Sequence, residues 1–265
     1  TKKNIHVVES SDILTHSNVT AADIDGMIEE YDLSIKPRDY QIEAYKFAIE
    51  HERGMVISPT ASGKSLIIYM LCRHYLNMIN NNILIIVPTT SLVEQLYKDF
   101  KDYGYDVETN VSRKYHGYDI DEDKRIVIST WQSLYKMPKK FFEDYGAVIG
   151  DEAHLFKAVS LTKIMTKLTD CKYRIGLTGT LDDSKTHKLV LQGLFGTVNR
   201  VVSTKQLIDK KQLAQLKVMC LNLKYPEIEA KKVYGVKYFE ELEYLTQNTA
   251  RNKYIRNLAL ALKGN

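Results

Sequence analysis

Gly63, Lys64 and Ser65 end a loop that begins at Ser58, between the apolar stretch MVI and the apolar run LIIYML. A strand, a loop and a helix start in that order turn several backbone N–H groups toward one point, which suits the oxygens of a triphosphate. Thr60, Ala61, Ser62 and Gly63 would wrap the phosphates, and Lys64 would reach the β and γ groups. The hydroxyl of Ser65 is a short neutral ligand suited to Mg²⁺. The general pattern G-x-x-x-x-G-K-[ST] begins with Gly, and Ser58 stands at that position. The plain alternative is a strand-to-helix turn whose helix happens to start with a lysine.

A second group, Asp151-Glu152-Ala153-His154, directly follows the apolar AVIG. A carboxylate at the C-terminal end of a buried strand faces the crevice where α/β sheets take ligands. Asp151 would hold Mg²⁺, directly or through its water shell, and Glu152 would orient and deprotonate a water. Two adjacent acids alone describe a solvated turn; their place downstream of a phosphate loop points to catalysis. Thr178-Gly179-Thr180 follows another apolar run, and its hydroxyls could link to His154 and sense the γ-phosphate; taken alone it is a turn. Near residue 40, the Gln41 amide matches the donor and acceptor edge of adenine, while Arg38 or Tyr40 could stack on its face.

These groups need a sheet to gather them. Apolar runs at 54–58, 83–87, 126–129, 147–150 and 173–177 read as strands, and helical spacing marks 39–51, 64–78, 91–103, 160–168 and 185–194. Such alternation predicts an α/β fold, a mostly parallel sheet with helices on both faces. A short acidic helix over 20–31, capped by Thr20, precedes it, and residues 1–19 read as a tail or linker. Beyond Gly196 come a strand-like VNRVVS, a short helix, the apolar run LKVMCLNL and a charged, Tyr-rich helical stretch. In that stretch Asn248 can cap a helix with Ile255, Leu258 and Leu262 on one face.

The net charge of +4 is unevenly placed. Residues 1–35 carry two Lys and seven Asp or Glu, −5 in all, which leaves +9 on the remainder and fits a polyanionic partner. Cys72, Cys171 and Cys220 are isolated in apolar contexts and read as buried free thiols of a cytoplasmic protein. No apolar run approaches the roughly 18–20 residues of a membrane span.

In this order the blocks resemble superfamily 2 helicases and translocases: PRDYQ (37–41, an RPxYQ-like adenine motif), PTASGKS, VPTTSLVEQ (87–95), STWQSL (129–134), DEAH and TGT. PTASGKS, ILIIVPTTSL, STWQSL before a Lys-Met-Pro segment, and LTGTL with a later GLFG are similar to the UvsW-type DNA helicases of T4-like phages, in which Ser58 is unremarkable. The resemblance implies a first RecA-like lobe over 36–203, with ATP and Mg²⁺ as cofactors. It also implies that Pro88, Thr89 and Thr90, with Thr130, Trp131 and Gln132, line a nucleic-acid backbone, DNA rather than RNA. Trp131 fits a core position equally well. Arg113, Lys114, Lys136, Lys139 and Lys140, interleaved with Tyr115, Tyr135, Phe141 and Phe142, read as rims of that track.

The resemblance further implies a second lobe that supplies an arginine to the ATP site. Its motifs are not in the sequence, so 204–265 reads as a bridge into that lobe and 1–35 as a linker and helical segment. The function implied is an ATP-driven DNA helicase or branch-migration translocase of phage recombination and repair. Two other readings stay open: a P-loop NTPase without a nucleic-acid partner, and a nucleotide-dependent DNA-binding module without turnover. Oligomeric state is not legible.

Overall fold

Strands β1 (Arg53–Ile57), β2 (Asn82–Val87), β3 (Val111–Lys114), β4 (Ile126–Thr130), β5 (Tyr145–Gly150), β6 (Tyr173–Thr178) and β7 (Thr197–Arg200) form one sheet in the order β3-β4-β2-β5-β6-β1-β7. Every pairing is parallel. This is a computed structural model, and it describes residues 20–115, 120–121, 123–155, 158–180, 185–214 and 219–262. The tail expected over 1–19 lies outside the described residues.

The strands are apolar throughout because both faces are covered. Period-two alternation divides them: Val56, Ile83, Ile85, Val87, Ile126, Ile128, Ile149 and Leu177 join one core, while Met55, Leu84, Ile86, Val127 and Val148 join the other. The first core is roofed by α1 (Ala21–Glu30), α2 (Asp39–Glu50), α3 (Lys64–Met78) and α4 (Thr90–Asp102). Helices α6 (Trp131–Tyr135), α7 (Ala158–Lys167) and α8 (Lys185–Phe195) cover the second. A short α5 (Val107–Asn110) leads into β3.

The expected strands and long helices are present. Three features were not foreseen: β3, α5 and α6. β3 is an edge strand of sequence VSRK whose last two residues are half-exposed, so no apolar run announces it. The helix expected over 20–31 is α1; its capping box joins the Thr20 hydroxyl to the Asp23 N–H and the Asp23 carboxylate to the Thr20 N–H. Ile24 and Tyr31 sink into the first core, and Tyr31 hydrogen-bonds Tyr45 at 2.8 Å.

The chain divides into two compact units, Thr1–Gln215 and Leu216–Asn265. Helix α1 and α9 (Thr204–Asp209), whose Leu207 is buried, therefore belong with the sheet. The second unit contains α10 (Glu227–Lys232), α11 (Tyr238–Gln247) and α12 (Thr249–Ala261), none of which has a buried residue. Asn248 caps α12 by accepting from the Arg251 N–H at 2.9 Å. Cys72 and Cys171 are buried as expected; Cys220 is exposed, and no described residue of the unit that carries it is buried.

Candidate nucleotide site and nucleic-acid track

All parallel strands end on the same side, so the loops after β1, β5 and β6 meet at one edge of the sheet. After β1, the loop turns through left-handed Ala61 (φ 63°) and Gly63 (φ 76°) into α3. A Cβ at Gly63 would stand 2.5 Å from the Gln41 amide nitrogen, so only glycine fits there. Ser58, the departure from the general pattern, is fully buried and donates to the Ser62 hydroxyl at 2.7 Å. That bond braces the loop from within.

Gln41 braces it from outside. Its side-chain N–H₂ donates to the Ser62 and Gly63 carbonyls at 3.0 and 3.2 Å, and its oxygen accepts from the Arg38 N–H at 2.8 Å. Tyr40 donates to the Ser62 carbonyl at 2.9 Å and accepts from the Arg38 guanidinium at 3.0 Å. Gln41 is 5% exposed, so in this state its amide clamps the loop rather than facing outward. Arg38, Thr60 and Ala61 are exposed.

After β5, Asp151 is nearly buried and continues the sheet ladder through its N–H to the Ile86 carbonyl. Burial pushes its carboxyl up to about 6, helped by the neighbouring Glu152 charge and opposed by Lys64 and the Glu152 N–H. Glu152 adopts φ 48°, a strained value for a residue with a side chain, and its carboxylate pairs with Lys64 at 2.9 Å. Its other oxygen lies 3.4 Å from His154 Nδ1.

His154 Nδ1 also lies 2.6 Å from the Thr178 hydroxyl, which donates to the Thr180 carbonyl at 2.7 Å. A hydroxyl has one proton, so Thr178 accepts and His154 Nδ1 carries the hydrogen. A continuous polar line thus joins Lys64, Glu152, His154, Thr178 and Thr180. The catalytic and coupling residues read from sequence are gathered at one place.

The donor set suits a divalent cation bound with phosphates. Among the described residues no group of three or more His, Cys, Asp or Glu is placed to hold a metal alone. One buried carboxylate and one hydroxyl, Asp151 and Ser65, would leave the other positions to phosphate and water oxygens, as Mg²⁺ prefers. The Ser65 hydroxyl also has a partner on the far side of the loop: it sits 2.8 Å from the hydroxyl of Tyr103, just after α4. No sequence signal marked Tyr103, since helix packing alone brings it to Ser65.

After β2 and β4 the groups are arranged otherwise. Pro88 is buried, Thr89 caps α4 by accepting from the Leu92 N–H at 3.3 Å, and Thr90 is exposed. Gln132 donates to the Pro88 carbonyl at 3.2 Å and ties the two loops together. Thr130 bonds Ser133 at 2.9 Å. Trp131 is half-buried against the second core.

The expected rims need correction. Arg113 pairs with Glu94 at 2.7 Å and lies over the Tyr97 ring, and Tyr115 donates to the same Glu94. Lys114, next along β3, points to the opposite face and lines a groove of about 950 Å³ with Lys124 and Lys140. Period two therefore splits a charge run that looked continuous. Phe142 is core. Lys136 and Lys139 are exposed.

Residues 34–183 match the family described as type III restriction enzyme, res subunit. The chain belongs to that family. It is 35% identical over 232 residues to the ATP-dependent DNA helicase uvsW of Enterobacteria phage T4, which covers 86% of this chain and 46% of that protein. It is 29% identical over 205 residues to the DNA 3'-5' translocase XPB2 of Sulfurisphaera tokodaii, covering 77% of this chain and 44% of that protein. The chain thus spans about half the length of the curated relatives it matches. A crystal structure of the UvsW helicase from bacteriophage T4 superposes with a TM-score of 0.66 at 31% identity over 71% of this chain and 70% of that chain. The sheet is accordingly the first RecA-like lobe of a superfamily 2 helicase, as the motif order implied. Members of this kind use a nucleotide. Among the described residues no helix is long and apolar enough to cross a membrane.

Proposed function

We propose that the chain is the ATP-binding motor lobe of a DNA-dependent ATPase, a helicase or branch-migration translocase of phage recombination and repair acting in the host cytoplasm. The observation that carries this reading is the polar line from Lys64 through Glu152 and His154 to Thr178. It ties the phosphate loop to the acid pair and to the strand end beyond.

Each residue's task follows from its surroundings. Lys64, 9% exposed and bound to Glu152, exchanges that carboxylate for β and γ phosphate oxygens. Released, Glu152 becomes free to accept a proton from water. His154 hands the change to Thr178 and Thr180. Gln41 and Tyr40 hold the Ser62–Gly63 carbonyls, while exposed Arg38 supplies a planar group beside the adenine. Ser65 and Asp151 would hold Mg²⁺, which supplies charge neutralisation at the phosphates. Pro88, Thr89, Thr90, Thr130, Trp131 and Gln132 form the backbone-reading track, sequence-tolerant because it offers hydroxyls and N–H groups to phosphates.

Relatives named as DNA helicase and DNA translocase favour DNA over RNA as the partner. The test compares ATP turnover by a helicase carrying this lobe with single-stranded DNA, branched DNA, RNA and no nucleic acid. Stimulation by DNA, falling steeply as salt rises, is the expected result. Turnover indifferent to every nucleic acid would favour a P-loop NTPase without such a partner, and DNA binding without turnover a nucleotide-dependent binding module.

A further inference from the structure

Tyr40, a candidate for stacking on a base, is only 4% exposed, and its ring packs with Val202 and Leu207 in a third buried cluster. Its hydroxyl meets the phosphate loop instead. It donates to the Ser62 carbonyl at 2.9 Å and accepts from the Arg38 guanidinium at 3.0 Å. Both directions are fixed by chemistry, since a carbonyl oxygen has no proton to give and a guanidinium no lone pair to offer. One side chain thus joins the loop to a cluster outside both main cores.

The residues behind the ring come from 201–213, the segment that follows β7. It starts against β1, where the Val201 N–H donates to the Ile57 carbonyl at 3.3 Å, one residue before the loop begins. It then forms α9, whose capping box joins the Ser203 N–H to the Gln206 side chain at 2.8 Å and the Gln206 N–H to the Ser203 hydroxyl at 3.2 Å. Left-handed Lys211 (φ 56°) ends it, and the Gln212 and Leu213 N–H groups return to the Leu207 carbonyl at 2.8 and 3.1 Å. A six-residue helix is too short to persist on its own hydrogen bonds. Leu207 is its one buried residue, so α9 keeps its place through the cluster that holds Tyr40.

We propose that the segment 201–213 positions the phosphate loop through Tyr40: Leu207 and Val202 fix the ring, and the hydroxyl on that ring fixes the Ser62 carbonyl. This rests on the reading of the loop as a nucleotide site. Tyr40 and Leu207 are positioning residues, Leu207 acting only through Tyr40. Coupling of this kind is reciprocal, so if the seating of α9 favours nucleotide binding, bound nucleotide favours the seating of α9 by the same factor. A ring that merely fills space leaves α9 indifferent to nucleotide.

The experiment follows amide hydrogen exchange of the 265-residue chain with and without saturating ADP, and measures affinity with a fluorescent ADP analogue. In the wild-type chain ADP is expected to slow exchange over 204–213 about three- to tenfold, the worth of one ordinary hydrogen bond. Tyr40→Phe keeps the ring in the cluster and removes only the hydroxyl; it is expected to weaken ADP about three- to tenfold and to abolish that slowing. Leu207→Ala is expected to weaken ADP in the wild-type background but by less than about twofold in the Tyr40→Phe background, because both act through one bond. Exchange over 204–213 that ignores bound ADP in the wild-type chain overturns the proposal while the nucleotide site stands, and that result depends on no variant folding. Losses from the two substitutions that simply add assign Leu207 to stability alone and overturn it as well. A wild-type chain that binds no ADP removes the site itself, and the coupling with it.

Discussion

After β1, β5 and β6, the polar side chains bond to one another: Lys64 to Glu152, His154 to Thr178, Ser58 to Ser62, Gln41 to the loop carbonyls. After β2 and β4, on the same sheet, Thr89, Thr90 and Gln132 are exposed, and their few bonds are local caps and ties. The first half contains buried charges, which persist only when paired. The second contains neutral hydroxyls and amides that water satisfies until a partner arrives. A buried, mutually bonded cluster responds sharply to the loss of one member. An exposed track spreads its binding over many weak contacts, and no single one dominates.

The largest effect is expected at Glu152. In a helicase carrying this lobe, Glu152→Gln should retain ATP and lower turnover by roughly 10² to 10⁴, the usual span for a general base. Single-turnover hydrolysis near wild type would assign the base elsewhere. Next is Lys64→Ala, which should abolish measurable ATP affinity by removing charge-assisted contacts worth about 2–4 kcal/mol. Calorimetric titration showing unchanged binding would break the contrast at its centre, since the proposed phosphate ligand would then be dispensable.

A stability test sharpens the comparison. Asp151 has its folded pKa raised to about 6 from 3.8, chiefly by burial. A carboxyl raised in this way costs the folded chain nothing well below pH 4, where it is protonated in both states; the cost grows as pH rises from about 4 to about 6 and is fully present above that. Asp151→Asn should therefore melt above wild type at pH 7.5, by about 2–4 °C for each kcal/mol of that cost, with the gap closing as pH falls from about 6 to about 4. A gap that does not change with pH would show that the carboxylate carries no such strain.

The smallest effect is expected in the track. Gln132→Ala should weaken DNA binding by a helicase carrying this lobe only about two- to fivefold, equally across sequences, as the loss of one loop tie and one neutral contact. A hundredfold loss would make Gln132 a focal contact and erase the difference between the halves.

Local pattern made much of this legible. The apolar runs specified the buried strands, because a strand covered on both faces has no polar positions to interrupt it. Gly63-Lys64-Ser65 and Asp151-Glu152 were recognisable because they are short in sequence and sit at strand ends, where topology gathers loops. Edge strand β3 escaped notice, since one uncovered side allows Arg113 and Lys114 in place of apolar residues. Period two then sent those two residues to opposite faces, and the basic rim read from their adjacency was divided. Cys220 had an apolar context but no core around it.

The sequence by itself determined which residue types stand at the ends of which strands, since spacing and apolar pattern are local properties of the chain. Only the tertiary structure decided what those residues touch. Glu152 on Lys64, Gln41 on the Ser62 and Gly63 carbonyls, and Tyr103 on Ser65 are contacts between elements far apart in the chain. Their partners are chosen by how helices seat on the sheet. A side-chain hydrogen bond forms only within about 3.5 Å, and no local pattern carries distances of that kind between separate elements.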